Sequence, residues 1–240
     1  MKNPSHFIFA FPEPAMTDSK NARVSSRRRP KQARSNDLVS AILQAAIQVL
    51  EKEGARRFTT TRVAERAGVS VGSIYQYFPN KASILFRLQS DEWQQTSAML
   101  SEILQDAAKP PLERLRKLVH AFVRSECEEA AVRTALNDAA PLYRDAPEAI
   151  ETKASGDRMF RIFIDQLLPN ATNTERNLAS DLVMDTLSAV GQQFSQEPRT
   201  DKEIKAYAGG LADMLCAYLA GLAGQNTARK VKRTVRGSPG

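Results

Sequence analysis

Between Thr59 and Lys81, two short runs with helical periodicity are separated by Gly68 and closed by Pro79, and this stretch constrains the fold more than any other. Thr59 is placed to cap a helix through Arg66 that turns Val63, Ala64 and Ala67 inward. Ser70 is placed to cap a second helix, Val71 to Phe78, with Ile74 and Phe78 inward, which Pro79 stops. Ahead of them, Leu38, Ile42, Ala46 and Leu50 recur at helical spacing from Asp37 to Glu53, and Gly54 is a C-terminal cap. Three helices, the last two short and joined through a glycine-containing turn, make a helix-turn-helix unit.

On this reading Ser73, Gln76 and Tyr77 point away from the buried pair Ile74 and Phe78. A recognition helix enters the major groove by its N-terminal end, where hydroxyls and amides reach base edges. Gly72 offers close backbone approach. Thr59 at a helix N-terminus, the hydroxyls of Tyr75 and Tyr77, and Lys81 suit phosphate oxygens. Thr61, Arg62, Ser70 and Val71 complete the candidate set; against it stands the plainer reading that the Tyr75 and Tyr77 rings cover the small core.

Charge is distributed to match. Residues 1–36 hold 8 basic and 2 acidic side chains and residues 37–90 hold 7 and 4, whereas residues 91–225 hold 14 and 21. A basic N-terminal third on an acidic body directs one end toward a polyanion.

The run Phe58-Thr-Thr-Thr-Arg-Val-Ala-Glu-Arg-Ala-Gly-Val-Ser-Val-Gly-Ser-Ile-Tyr-Gln-Tyr-Phe-Pro-Asn-Lys81 resembles the DNA-binding region of the tetracycline-repressor family. The resemblance covers about residues 37–90. It implies an all-α bacterial transcriptional regulator that binds double-stranded operator DNA as a homodimer. It also implies DNA contacts from the threonine that opens the second helix, from Ser70 to Ser73, from Tyr75 and Tyr77, and from Lys81. One departure stands out: many members carry an acidic residue after the lysine, where this chain has Ala82 and Ser83.

The expected organisation is a disordered basic leader at 1–36, the helix-turn-helix domain at 37–84, a helical effector-binding and dimerisation domain at 85–225, and a disordered basic tail at 226–240. The leader's Arg27 to Lys31 run is a solvated arm or reaches an adjacent minor groove. Its Phe7 to Phe11 stretch is too short and too soon interrupted by Pro12 for a secretory signal, and Met16 offers a second start. In the body, a helix from Asn80 runs past Trp93 toward Ala108, where Pro110 and Pro111 stop it. A second runs from Leu112 through Cys127 to Val132, and a third from Ile150 to Leu167.

Two last stripes, one with Leu182, Leu187, Val190 and Phe194, the other with Leu211, Leu215, Tyr218 and Leu222, carry the implied dimer interface; internal core is the alternative. Gly209, Gly210 and Gly221 beside the second stripe cost about 1 kcal/mol each in helix propensity, which close helix approach would offset. For an effector pocket the candidates are Trp93, His120, Phe122, Cys127, Tyr143, Met159, Phe160 and Phe163, each also readable as core.

Other classes are poorly supplied. The apolar runs look too short to span a membrane, and two cysteines and two histidines make neither a disulfide framework nor a metal site. His120 and Cys127 are two ligands at most. There is no nucleophile–base pair or phosphate loop, so no catalytic residue, cofactor or metal is expected, and the chain reads as cytoplasmic. The function expected is a repressor released from its operator by a small apolar effector. The alternative is an effector-free DNA-binding protein whose acidic body docks a protein partner.

Overall fold

Thr59, Ser70 and Asn80 each open a helix by accepting a backbone N–H from the residue three positions on, at 3.2, 3.0 and 2.9 Å. The computed structural model describes residues 33–236, all helix and turn, with no strand among them. Residues 1–32, with the leader's Arg27 to Lys31 run, and residues 237–240 lie outside the described residues. The elements are α1 (Ala33–Arg57), α2 (Thr60–Ala67), α3 (Val71–Tyr77), α4 (Lys81–Gln105), α5 (Pro111–Glu128) and α6 (Ala130–Ala139). A 3-10 turn (Ala140–Leu142), α7 (Pro147–Leu167), α8 (Asn173–Phe194) and α9 (Asp201–Arg236) follow.

Two glycines take left-handed backbone where the pattern asked for a stop. Gly54, at φ 71°, kinks the end of α1, and Gly68, at φ 67°, caps α2 by donating its N–H to Ala64 and Glu65 carbonyls. The missing acid after Lys81 is made good locally. Asn80 Oδ1 accepts the Ser83 N–H while Ser83 Oγ accepts the Asn80 N–H, closing a capping box at the start of α4.

Two hydrophobic cores lie along α4. The first holds Ile42, Leu50, Phe58, Ile74, Phe78, Ile84, Leu85 and Leu88, and also takes in Leu136, Ala139, Tyr143 and Ala149 from the α6–α7 region. The second begins at Ile103 and Leu104 and gathers Leu115, Leu118, Phe160, Phe163, Ile164, Leu187, Leu211 and Leu215. At Gly191 α8 comes so close to α5 that an added Cβ would lie 2.9 Å from Phe122 Cε1 and 3.0 Å from Glu126 Cγ.

Several expectations need correcting. The single helix expected from Leu112 to Val132 is two, because Glu129 (φ −110°, ψ 15°) leaves helical geometry and α6 turns back onto α1. Helix α1 starts at Ala33, within the expected leader, and α9 runs through Arg236, well past residue 226. The supposed lack of a membrane-length apolar run also fails. Helix α9 holds, within Asp201–Thr227, an 18-residue window of mean hydropathy 1.3, which is long and apolar enough by length and composition. Its Ile204, Ala208, Leu211, Leu215 and Leu219 are nevertheless buried in the second core, as in a core helix with one uncovered face.

Candidate nucleic-acid interface

The recognition face is built by α2 and α3. Helix α3 buries Ile74 and leaves Gly72, Tyr75 and Gln76 exposed, with Ser73 half-buried beside them. Ser70 Oγ, which accepts the Ser73 N–H, also lies 2.8 Å from Ser73 Oγ, so the two hydroxyls stand together at the helix N-terminus. On α2, Thr59 and Thr61 are exposed, and Thr60 Oγ1 lies 3.4 Å from the Tyr75 hydroxyl. Lys81 opens α4 half-buried at the edge of this face. Hydroxyls, an amide and two helix N-termini thus share one surface, which suits phosphate and base-edge hydrogen bonding.

Three candidates face otherwise than expected. Tyr77 does not point away from the core: its ring packs against the first core and its hydroxyl lies 2.8 Å from Ser35 Oγ on α1, so it ties α3 to α1. Tyr75, 41% exposed, is the free aromatic of the pair. Val71 also packs partly against the core. Arg62 turns back to pair with Glu53 and to donate to the Arg57 carbonyl at 3.3 Å. That ion pair is about one third exposed on both sides, and such pairs contribute at most about 1 kcal/mol. Behind Arg62 a polar cleft of about 550 Å³ opens between α1 and α2, lined by Gln48, Lys52, Glu53, Arg62 and Arg66 among others. No expected effector-pocket residue lines it.

Those pocket candidates do not form one cluster. Phe122, Phe160 and Phe163 are buried in the second core, with the last two rings 5.7 Å apart, and Cys127 packs partly against them. Trp93, His120 and Met159 are half-buried. Tyr143 belongs elsewhere: its ring lies 6.0 Å from Phe86 in the first core, and its hydroxyl lies 2.9 Å from the Leu136 carbonyl and 3.2 Å from Gln89 Oε1. The sequence reading failed there because the return of α6 onto α1, which brings the 3-10 turn to the first core, is a long-range contact that leaves no periodic signal.

Tyr143 leads into a polar belt that sequence reasoning missed, on the stretch of α4 between the two cores. Gln89 Nε2 donates to Glu92, and Glu92 pairs with Arg133 of α6 at 2.8 Å and accepts from Thr96. Arg133 also pairs with Glu126 and Glu129 and donates to Ser125 Oγ at 2.7 Å. Burial raises the carboxyls of Glu92 and Glu126 above the usual range, against the pull of Arg133. Burial alone would lower Arg133, but Glu126 and Glu92 outweigh it. A guanidinium among three carboxylates locks α4, α5 and α6 to one another where apolar packing is interrupted. Glu126, Glu129 and Arg133 lie close in sequence, but their partner Glu92 is far up the chain on α4, so no local motif joins the set.

The dimer stripes divide likewise. Leu187, Leu211 and Leu215 are buried in their own chain's core at 1, 7 and 3% exposure and cannot also be contact surface. Apolar residues run around more of each helix than one stripe, and the inward row was indistinguishable from the outward one. Leu182 is exposed, while Val190, Phe194, Tyr218 and Leu222 are half-buried; the outward row includes Leu178 and Tyr207 of the same two apolar stripes and adds Met214, which the sequence reading did not single out. The Phe194 and Tyr207 rings stack at 3.9 Å and pin α8 to α9. A Cβ added at Gly209, Gly210, Gly221 or Gly224 would meet nothing within 4 Å, so these glycines serve no close helix approach among the described residues.

Fold and face together define a helix-turn-helix regulatory protein. Residues 42–88 match the description "Bacterial regulatory proteins, tetR family" and residues 110–222 match "Tetracyclin repressor-like, C-terminal domain". The chain belongs to the tetR family of bacterial regulatory proteins, and it is a regulator rather than an enzyme. It is 29% identical over 138 residues to the HTH-type transcriptional repressor KstR of Rhodococcus jostii, over 58% of this chain and 63% of that one. It is 40% identical over 83 residues to the nucleoid occlusion factor SlmA of Vibrio campbellii, over 34% of this chain and 42% of that one. The chain thus spans less than two thirds of the length of these relatives. The crystal structure of NalD, the secondary repressor of the MexAB-OprM multidrug efflux pump in Pseudomonas aeruginosa, superposes with a TM-score of 0.56 at 20% identity. It covers 75% of this chain and 96% of NalD, a likeness of fold.

Proposed function

We propose that the protein is a homodimeric, DNA-binding transcriptional repressor of the cytoplasm that releases its operator when a small, largely apolar molecule occupies the helical body. The observation that carries the DNA-binding reading is the shared surface of Thr59, Thr61, Ser70, Ser73, Tyr75 and Gln76 at two adjoining helix N-termini. Ser73 and Gln76 are assigned to base edges, and Thr59, Thr61, Tyr75 and Lys81 to phosphates. Gly72 gives the backbone close approach, Ser70 holds the helix end, and Val71 and Tyr77 brace the face from behind. Arg62 reaches phosphate by leaving its weak pair with Glu53.

The uncovered apolar row of Leu178, Leu182 and Met214, with the open glycines of α9, supports self-association through α8 and α9. A twofold pair would present its recognition helices one DNA turn, about 34 to 36 Å, apart. Helix α4 supports effector response, because it enters both cores and transmits a change in one to the other. A coupling of about 1 to 3 kcal/mol changes operator affinity by about 5- to 150-fold.

The test is fluorescence anisotropy with duplex DNA from upstream of the protein's own gene against a scrambled duplex, at two salt concentrations. Tighter, salt-sensitive binding to the native duplex is expected. Absence of binding to any duplex, by protein shown to be folded, defeats the reading.

A further inference from the structure

Beside the second core lies a buried charge with no acid to balance it among the described residues. Arg114, in the first turns of α5, is 8% exposed. Its Nη1 donates to the carbonyl of Leu104, in the last turn of α4, and its guanidinium carbon lies 5.5 Å from the centroid of the Phe163 ring on α7. Its Nε is buried and has no hydrogen-bond partner, and among the described residues no carboxylate pairs with it. Leu104 and Phe163, the two residues it meets, belong to the buried apolar second core, as does Phe160, whose ring lies 5.7 Å from that of Phe163.

A guanidinium stays charged at every ordinary pH, so burial cannot neutralise it. The C-terminal end of α4 and the face of Phe163 offset part of the desolvation cost, through the helix dipole and a cation–π contact. Neither meets the Nε–H. An unmet buried donor is costly, and the Nε edge of a guanidinium is one side of the planar fork that takes a carboxylate through two parallel hydrogen bonds.

We infer that Arg114 is the anchor of the effector site, and that the effector is an amphipathic carboxylate: one carboxylate head on Arg114 and an apolar body against Phe160 and Phe163. This rests on the effector reading above and names its ligand class. It also supplies a route to the DNA. A carboxylate on the Nε edge balances the charge that the Leu104 carbonyl now helps to hold and so weakens the tie at the end of α4, whose opposite end carries Ile84, Leu85 and Leu88 in the core beneath the recognition face.

The test uses the full chain with decanoate, 1-decanol and acetate as probes, read by calorimetry and by fluorescence of Trp93, the single tryptophan, which lies on α4. Decanoate is expected to bind about 10- to 100-fold more tightly than 1-decanol, the worth of a charge-assisted pair, and acetate not detectably. Arg114→Gln is expected to abolish the preference, and Arg114→Lys, which keeps the charge but lacks the Nε edge, to lose most of it. Unliganded melting of each variant separates a lost anchor from a lost fold. Equal binding of decanoate and decanol, retention of the preference by folded Arg114→Gln, or no binding of either probe overturns the inference. If decanol binds and decanoate gains nothing, an apolar-effector reading survives without the carboxylate; if operator binding fails, the regulator reading falls whatever Arg114 does.

Discussion

The helix-turn-helix end and the α8–α9 hairpin finish their surfaces in opposite ways. At the first, each large apolar side chain from Phe58 to Phe78 is buried or half-buried except Tyr75. What remains outside is hydroxyl, amide and the charged pair Glu65 and Arg66, groups that exchange water for phosphate or base edge more readily than apolar surface does. At the second, Leu178 and Met214 are 63 and 53% exposed although fully buried partners lie on the same helices. Water-exposed apolar surface forgoes about 25 cal/mol per Å² that burial would return. One region closes its apolar surface within a single chain and presents polar groups; the other leaves an apolar row uncovered.

The comparison is broken most forcefully through the first core. Phe58 is fully buried, and Phe58→Ala is expected to lose about 3 to 5 kcal/mol in chemical denaturation and to abolish DNA binding. Because α4 and α6 join the regions, a single cooperative transition is expected. A second transition left in place would mean that the body folds independently. Next in size, Met214→Glu places a charge on the uncovered face, and sedimentation velocity is expected to show monomer with an unchanged fold. A variant that remains dimeric moves the interface off this row.

Smaller effects sharpen the polar side. Ser70→Ala removes the cap of α3 and is expected to cost about 1 kcal/mol of thermal stability. Gln76→Ala, exposed and uninvolved in packing, is expected to weaken operator affinity in anisotropy while leaving melting unchanged. The smallest effect lies in the belt between the regions. Carboxyls raised in the folded state bind their protons more tightly than when unfolded, so the stability they contribute is complete below the ordinary value of 4.5 and declines as pH rises through the raised values. Glu126→Gln, which cannot titrate and leaves Arg133 paired with Glu92 and Glu129, is expected to flatten that decline in melting temperature. An unchanged slope would place the proton elsewhere.

Local chemistry determined much of this protein from its sequence. Thr59, Ser70 and Asn80 cap helices, Gly54 and Gly68 supply left-handed turns, and the spacing of Val63, Ile74 and Phe78 selects the buried face, all within a few residues of chain. The motif that carries the family resemblance is of this local kind. Periodicity, however, says that a helix has an apolar face and not what covers it. Only the tertiary structure decided that Leu187 and Leu215 turn inward while Leu182 and Met214 turn out, that Tyr77 braces α1, and that Tyr143 belongs to the first core. It also placed Glu92, Glu126 and Arg133 in one belt and left Arg114 buried with its Nε unmet among the described residues. Those outcomes depend on which helices meet, and that is settled by packing residues far apart in sequence, where no local pattern carries the information.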